Sequence, residues 1–275
     1  MAFSVNTNAG AFAALQNLNE TTRQLNTVQT QINTGLAVSS AKDDAATFAI
    51  AQTLRGDVAG LNAVQSSLDR ASSTIDVAIA AGEAVSDLLI ELKEKAVAAK
   101  DAGLDTASRD ALNNDFGQLR AQITSIVSNA EFNGTNVVEN GGDAIVAITN
   151  DTGSNTISIA SQDLSLGGGN VTITATQSIG TAGAASVAVA NIESSISNVN
   201  TALSELGSGA ARLELQATFV TQLSDAIEVG IGNLVDADLA QASADLQSLQ
   251  VKQQLGLQAL SIANQAPSTV LSLFG

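Results

Sequence analysis

Cysteine and histidine are both missing from this chain of 275 residues, and their absence excludes more chemistry than any other feature. Without cysteine there is no disulfide, no thiolate nucleophile and no thiolate-bound zinc. Without histidine the usual general base at neutral pH is gone. Tryptophan and tyrosine are absent too, aromatics reach only 3%, and proline occurs once, at Pro267. A compact globule of this length normally carries more large side chains. A long bundle with a thin, alanine-rich seam does not need them, and no proline before 267 interrupts its helices.

Basic residues are also scarce. Eleven Lys plus Arg face 27 Asp plus Glu, a net charge of −16, and after Arg120 only Arg212 and Lys252 remain against thirteen carboxylates. Nucleic acid and anionic membranes reward clustered Lys and Arg, so neither is expected as a partner. No apolar run reaches 18 residues, and Met1–Val5 lacks the basic start and apolar core of a secretory signal. Export, if it occurs, is expected to use no cleaved signal. No base, nucleophile and ligand set comes together, so the reading is a non-enzyme without cofactor or catalytic metal.

What is present is periodicity. Ile192, Ile196, Val199, Leu203, Leu206, Ala210, Leu213, Ala217, Val220, Ser224, Ile227, Ile231 and Leu234 alternate steps of four and three. Only Ser224 breaks the apolar series. This is a coiled-coil seam, and the helix carrying it would run roughly 65 Å. An equal partner lies in the first half: Leu54, Leu61, Leu68, Ile75, Gly82, Leu89 and Ala96 recur every seven, with Val64, Ala71, Ala78, Val85 and Leu92 between. The predicted fold class is mainly α, an elongated antiparallel helical coiled-coil bundle with a small β-hairpin region in mid-chain.

Taken in order, residues 3–34 read as an amphipathic helix stopped at Thr34-Gly35. A connector covers 35–45, with Ser40 as N-cap and Asp43 as first-turn acid. A long rod follows to Lys100, then a turn and a helix capped at Asp105 or Thr106. From Phe132-Asn133-Gly134 the composition shifts to Gly, Ser, Thr and Asn. Ile157–Ile159 and Val171–Thr174 read there as strands of one or two hairpins packed on the rods or crowning their ends. Gly167-Gly168-Gly169 lacks the Lys-Ser/Thr of a phosphate loop and reads as a turn. Helix resumes near Val187, and a last helix runs from an Asp236 cap to about Gln265, ended by Pro267. The expected organisation is 1–34 with 236–275 as paired terminal helices, 35–45 as connector, 46–134 with 187–235 as rod, and 135–186 as insertion.

The terminal helices carry apolar residues on more than one side. Leu15, Leu18, Leu25, Val28 and Ile32 at one end and Leu239, Leu246, Leu249, Leu255, Leu260, Ile262, Leu271 and Leu273 at the other form the candidate assembly surface. Pairing alone leaves apolar surface open, and the apolar burial available in residues 1–34 does not repay the ordering of their backbone. Both ends are therefore expected to be largely disordered in a lone subunit and to fold against neighbouring copies.

Here the residues resemble a family. The run Gln31–Ala46, with Ser39-Ser40-Ala41-Lys42-Asp43-Asp44, is similar to the N-terminal signature of bacterial flagellins, as is Glu131-Phe132-Asn133-Gly134 after the second helix. Asn233–Asp238, Ala263–Pro267 and Val270–Leu273 resemble the C-terminal signature. The resemblance covers roughly 1–135 and 187–275 and points to a short, alphaproteobacterial-type flagellin. It implies an extracellular filament subunit whose paired ends form an inner tube and whose rods form an outer one. It also implies export by the flagellar type III apparatus with an export chaperone, and partners among copies of itself, other flagellins, and cap and hook-associated proteins.

Ser40, Lys42, Asp43, Asp44, Asp236 and Asp238 stand out as polar groups of the connectors. The acid pairs resemble metal carboxylates, but their place at helix starts favours capping. Thr149, Thr152, Ser154, Thr156, Thr172, Thr174 and Ser178 are candidate O-glycosylation sites, as in some flagellins. The runner-up is a hook–filament junction protein, which tends to carry proline around the acid pair where Ala41 and Ala45 stand here. A secreted helical adhesin or translocon subunit is a further alternative. Amide exchange on dilute monomer is expected to show little protection across residues 3–34; strong protection there would contradict the reading of the ends.

Overall fold

The computed structural model describes residues 7–271, with side chains described to Gln265. Among the described residues there are five helices, with two small hairpins between the third and fourth: α1 (Ala9–Thr34), α2 (Ala45–Ala99), α3 (Thr106–Asn129), β1 (Glu131–Phe132), β2 (Thr135–Asn136), β3 (Ile145–Ile148), β4 (Thr156–Ile159), α4 (Ala182–Val235) and α5 (Leu239–Leu271). The chain divides into two compact units, Met1–Gly56 with Ala226–Gly275, and Asp57–Asp225.

Within Asp57–Asp225, α2 and α4 run antiparallel. Lys93 Nζ pairs with Glu193 at 2.9 Å, and Thr221 donates to Gln65 at 3.4 Å. Between these levels a Cβ on Gly82 would lie 2.7 Å from Leu203 Cδ2, so the glycine in the heptad series is the socket for a leucine knob. Leu61, Val64, Leu68, Ala71, Ile75, Ala78, Val85, Leu89, Leu92 and Ala96 are buried as their spacing predicts. So are Ile192, Val199, Leu206, Leu213 and Val220 of α4, and Phe116, Ile123 and Val127 of α3. Leu234, placed in the seam by its spacing, is exposed instead, and its neighbour Val235 is buried. The period slips at the helix end, where the chain turns into the connector.

Asn133 and Gly134 adopt positive φ (52° and 83°), the turn that joins two short strands with matching twist. β3 and β4 pair antiparallel, Ile145 with Ile159 and Ile148 with Thr156. This hairpin packs on the rods. Ile159 Cδ1 would sit 2.9 Å from a Cβ at Gly209, and the Asp151 carbonyl 2.8 Å from one at Gly60.

Several boundaries differ from the sequence reading. α1 begins at Ala9, because Asn8 caps it by accepting Ala11 N–H at 3.0 Å; Phe3 and Val5 lie outside the described residues. The cap of α2 is Asp44, whose Oδ1 accepts Ala46 and Thr47 N–H at 2.9 and 3.1 Å, in place of Ser40. Val171–Thr174 forms no strand, although Val171 and Ile173 are buried in alternation. Its polar groups go to α4: Thr172 N–H donates to Ser195 Oγ at 3.0 Å, and Thr172 Oγ1 to the Asn191 carbonyl at 3.0 Å. α4 starts at Ala182, with Thr181 Oγ1 accepting Ala184 N–H at 3.1 Å, five residues before Val187. Asp238, not Asp236, caps α5, accepting Ala240 and Gln241 N–H at 2.9 and 3.1 Å. Finally, α5 continues past Pro267 to Leu271.

Asn136 carried no signal that singled it out, yet it ties α3 to the chain that follows. Buried, it donates to the Val127 carbonyl at 2.8 Å and accepts Val138 and Glu139 N–H at 3.0 and 3.2 Å. Asn136→Ala leaves these backbone groups unpaired and is expected to cost about 3 kcal/mol, measured by urea unfolding with circular dichroism. Asn136→Asp retains the two acceptor bonds but sets a buried carboxylate against the Val127 carbonyl, and is expected to cost at least as much at neutral pH.

Candidate assembly interface

α1 and α5 pack along their lengths in antiparallel sense. The register follows from close approaches: a Cβ on Gly256 would lie 3.2 Å from Leu18 Cδ1, and one on Gly10 would lie 3.9 Å from Ala263 Cβ. Leu25 and Leu249 are the large side chains most fully removed from water in this pair. Leu18, Val28, Ile32, Leu246 and Leu260 are half-buried beside them.

The other apolar residues of the pair face outward. Leu15, Leu239, Leu255 and Ile262 are exposed, Ile262 by 69%. Phe12 (67% exposed), Val251 and Leu257 join them, residues outside the candidate set drawn from the sequence. The candidate surface thus separates into residues that hold α1 to α5 and residues that the pair leaves open. Leu273 lies outside the described residues, as does the side chain of Leu271.

The polar candidates converge on the two connectors. Ala37 N–H donates to the Val235 carbonyl at 2.7 Å and Ala237 N–H to the Gly35 carbonyl at 2.9 Å, around an antiparallel bridge of Leu36 with Asp236. Gly35 makes the entry possible. It takes φ 73°, stops α1 by donating to the Gln31 carbonyl at 2.8 Å, and frees the chain to pair. Asp43 Oδ2 accepts Ser39 N–H, Ser39 Oγ, Ser40 N–H and Ser40 Oγ between 2.9 and 3.1 Å. Ser40 and Asp43, read as N-cap and first-turn acid of the helix, instead close a single turn before Asp44 starts α2. Lys42 is exposed and its N–H donates to Ser40 Oγ at 3.3 Å. The Asp236 carboxylate rests over Gly232. The carboxylates of Asp43, Asp44 and Asp238 are occupied with backbone and hydroxyl donors, the work of turn and cap residues.

The Ser39 hydroxyl and the Ser40 N–H hold the Asp43 carboxyl below the ordinary aspartate value. For Asp44 the Thr47 hydroxyl and N–H do the same. A depressed folded value means the turn is favoured at neutral pH, and that contribution fades as pH falls through the lowered value. Titration of the carboxyl carbon of Asp43 by NMR in the assembled protein should give a midpoint below that of free aspartate. An Asp43 midpoint at the ordinary value would contradict these four bonds.

Comparison with known proteins places this arrangement. Residues 5–142 match the bacterial flagellin N-terminal helical region and residues 189–274 the bacterial flagellin C-terminal helical region. Flagellin FljM of Caulobacter vibrioides is 48% identical over 271 residues, covering 98% of both chains. Flagellin C of Rhizobium meliloti is 33% identical, over 98% of this chain and 99% of its own. Among solved structures, Bacillus cereus flagellin is similar with a TM-score of 0.50 at 19% identity, over 56% of this chain and 88% of its own. At that identity the likeness speaks to the fold. Two terminal helical regions matched in order, on a chain whose ends pair and leave apolar surface open, make this chain a member of the bacterial flagellins, the structural subunits of the flagellar filament.

Proposed function

We propose that copies of this chain polymerise through the face of α1 and α5 that their pairing leaves open. The observation that carries this is the exposure of Phe12, Leu15, Leu239, Val251, Leu255, Leu257 and Ile262 on more than one side of the helix pair. Burying these seven side chains against neighbours is worth about 10–20 kcal/mol, against an association cost of roughly 4–15 kcal/mol. Exposed apolar surface of this extent on a subunit of a polymer is most simply its contact surface.

The finer reading follows from the family. The subunit leaves the cell through the flagellar type III apparatus, accompanied by an export chaperone, and meets cap and hook-associated proteins at the filament ends. It assembles with itself and with other flagellins outside the cell, and performs no catalysis. Among the described residues no helix is long and apolar enough to cross a membrane. Residues 1–34 with 236–275 line the inner part of the filament and 46–134 with 187–235 the outer part, joined at 35–45, with 135–186 an insertion packed on the rod.

O-linked sugars, where added, would fall on exposed hydroxyls. Thr152, Ser154, Thr156, Thr174 and Ser178 are exposed, while Thr149 is half-buried. Thr172 is half-buried like Thr149, its hydroxyl donating to the Asn191 carbonyl.

Ile262→Ala tests the open face. Losing the burial of one isoleucine, about 1.5–3 kcal/mol, should raise the critical concentration for seeded filament growth roughly tenfold or more. Leu249→Ala, inside the helix pair, should instead lower the melting temperature of the filaments that form. Unchanged growth by the Ile262 variant would count against this face as the contact.

A further inference from the structure

Pro267 sits inside α5, four residues after Ala263. A proline there has no N–H to offer the Ala263 carbonyl. An acceptor deprived of its helical donor must be satisfied from elsewhere. α1 supplies the donor: Asn8 Nδ2 donates to Ala263 O at 2.6 Å. The other arm of the same amide is engaged as well, with Oδ1 accepting Ala11 N–H at 3.0 Å. The two bonds together assign the amide, since exchanging O and N would set acceptor on acceptor and donor on donor.

This contact matters because the seam between α1 and α5 is poor in direction. Leu18, Leu25, Val28 and Ile32 meet Leu246, Leu249 and Leu260 across small residues such as Gly256, and apolar contacts of this kind tolerate a slip of one turn. Backbone bonds between Gly35–Val38 and Val235–Ala237 pin one end of the pair. The far end has Asn8 and Ala263.

We infer that Asn8, through the carbonyl that Pro267 leaves without a donor, sets the register of α1 on α5. It thereby sets where Phe12 and Leu15 fall relative to Leu255 and Ile262 on the face offered to other copies. Asn8 is in this sense a positioning residue for assembly, and the inference rests on the filament reading above. Proline and asparagine act as one device: the first opens an acceptor, the second fills it from the partner helix.

A double-mutant cycle on the full-length chain tests it, reading seeded elongation from wild-type filament ends. Asn8→Ser keeps a good helix cap but is too short to reach Ala263. It is expected to slow elongation about five- to tenfold. Pro267→Ala returns an N–H to the Ala263 carbonyl, so in that background Asn8→Ser should cost less than twofold. An equal loss in both backgrounds would reduce Asn8 to a cap and overturn the inference, and so would no loss in either. Wild-type chain that fails to extend the seeds would sink the filament reading, and the register role of Asn8 with it.

Discussion

Pairing α1 with α5 takes one stripe of each helix out of water, and the geometry of two packed cylinders allows no more. Leu25 and Leu249 fall on that stripe, while Phe12 and Ile262 fall off it. In the unit Asp57–Asp225 the same shortage does not arise, because α2, α3, α4 and the hairpins surround a common core. On the reading proposed above, such a pair takes its third layer from other copies of the chain, and polymerisation follows from that need.

Apolar burial has little direction, so polar groups decide how the pieces line up. They are concentrated where the helices of the terminal unit begin and end. Gly35 and the bridge of Leu36 with Asp236 lock the two connectors to each other. Asp43, Asp44 and Asp238 consume backbone donors that would otherwise be orphaned. Near the opposite end of the pair, Asn8 completes the frame from the side. In the other unit, Asn136 of β2 is tied to the end of α3, and the Thr172–Ser195 contact binds irregular chain to α4. The shared device is a short polar side chain substituting for a backbone partner.

How far this was legible depends on the kind of signal. Heptad spacing names a buried face directly, so Leu61 through Ala96 and Ile192 through Val220 could be read in advance, as could the helix stop at Gly35. Cap identity was harder. Ser40 was read as the cap with Asp43 in its first turn, yet the two close a turn of their own and the helix starts at Asp44, since consecutive acids offer two starts with similar local energies. Alternation in Val171–Thr174 announced correctly which side chains are buried, but it cannot say whether a strand or a helix supplies the hydrogen bonds. Pro267 signalled a helix end because the rule counts the missing donor and knows nothing of Asn8, more than 250 residues away.

Amphipathic spacing, the glycine stop, the acid clusters and the family signatures at the two ends are local properties, and the sequence by itself determined them, together with the mainly helical class and the filament role. Which apolar residues of the terminal helices face each other and which remain open was decided only by tertiary structure. The same holds for the meeting of the two connectors and for the donor that lets α5 run on through its proline. Those outcomes depend on register between segments distant in the chain, and register is set by contacts that no short window of sequence contains.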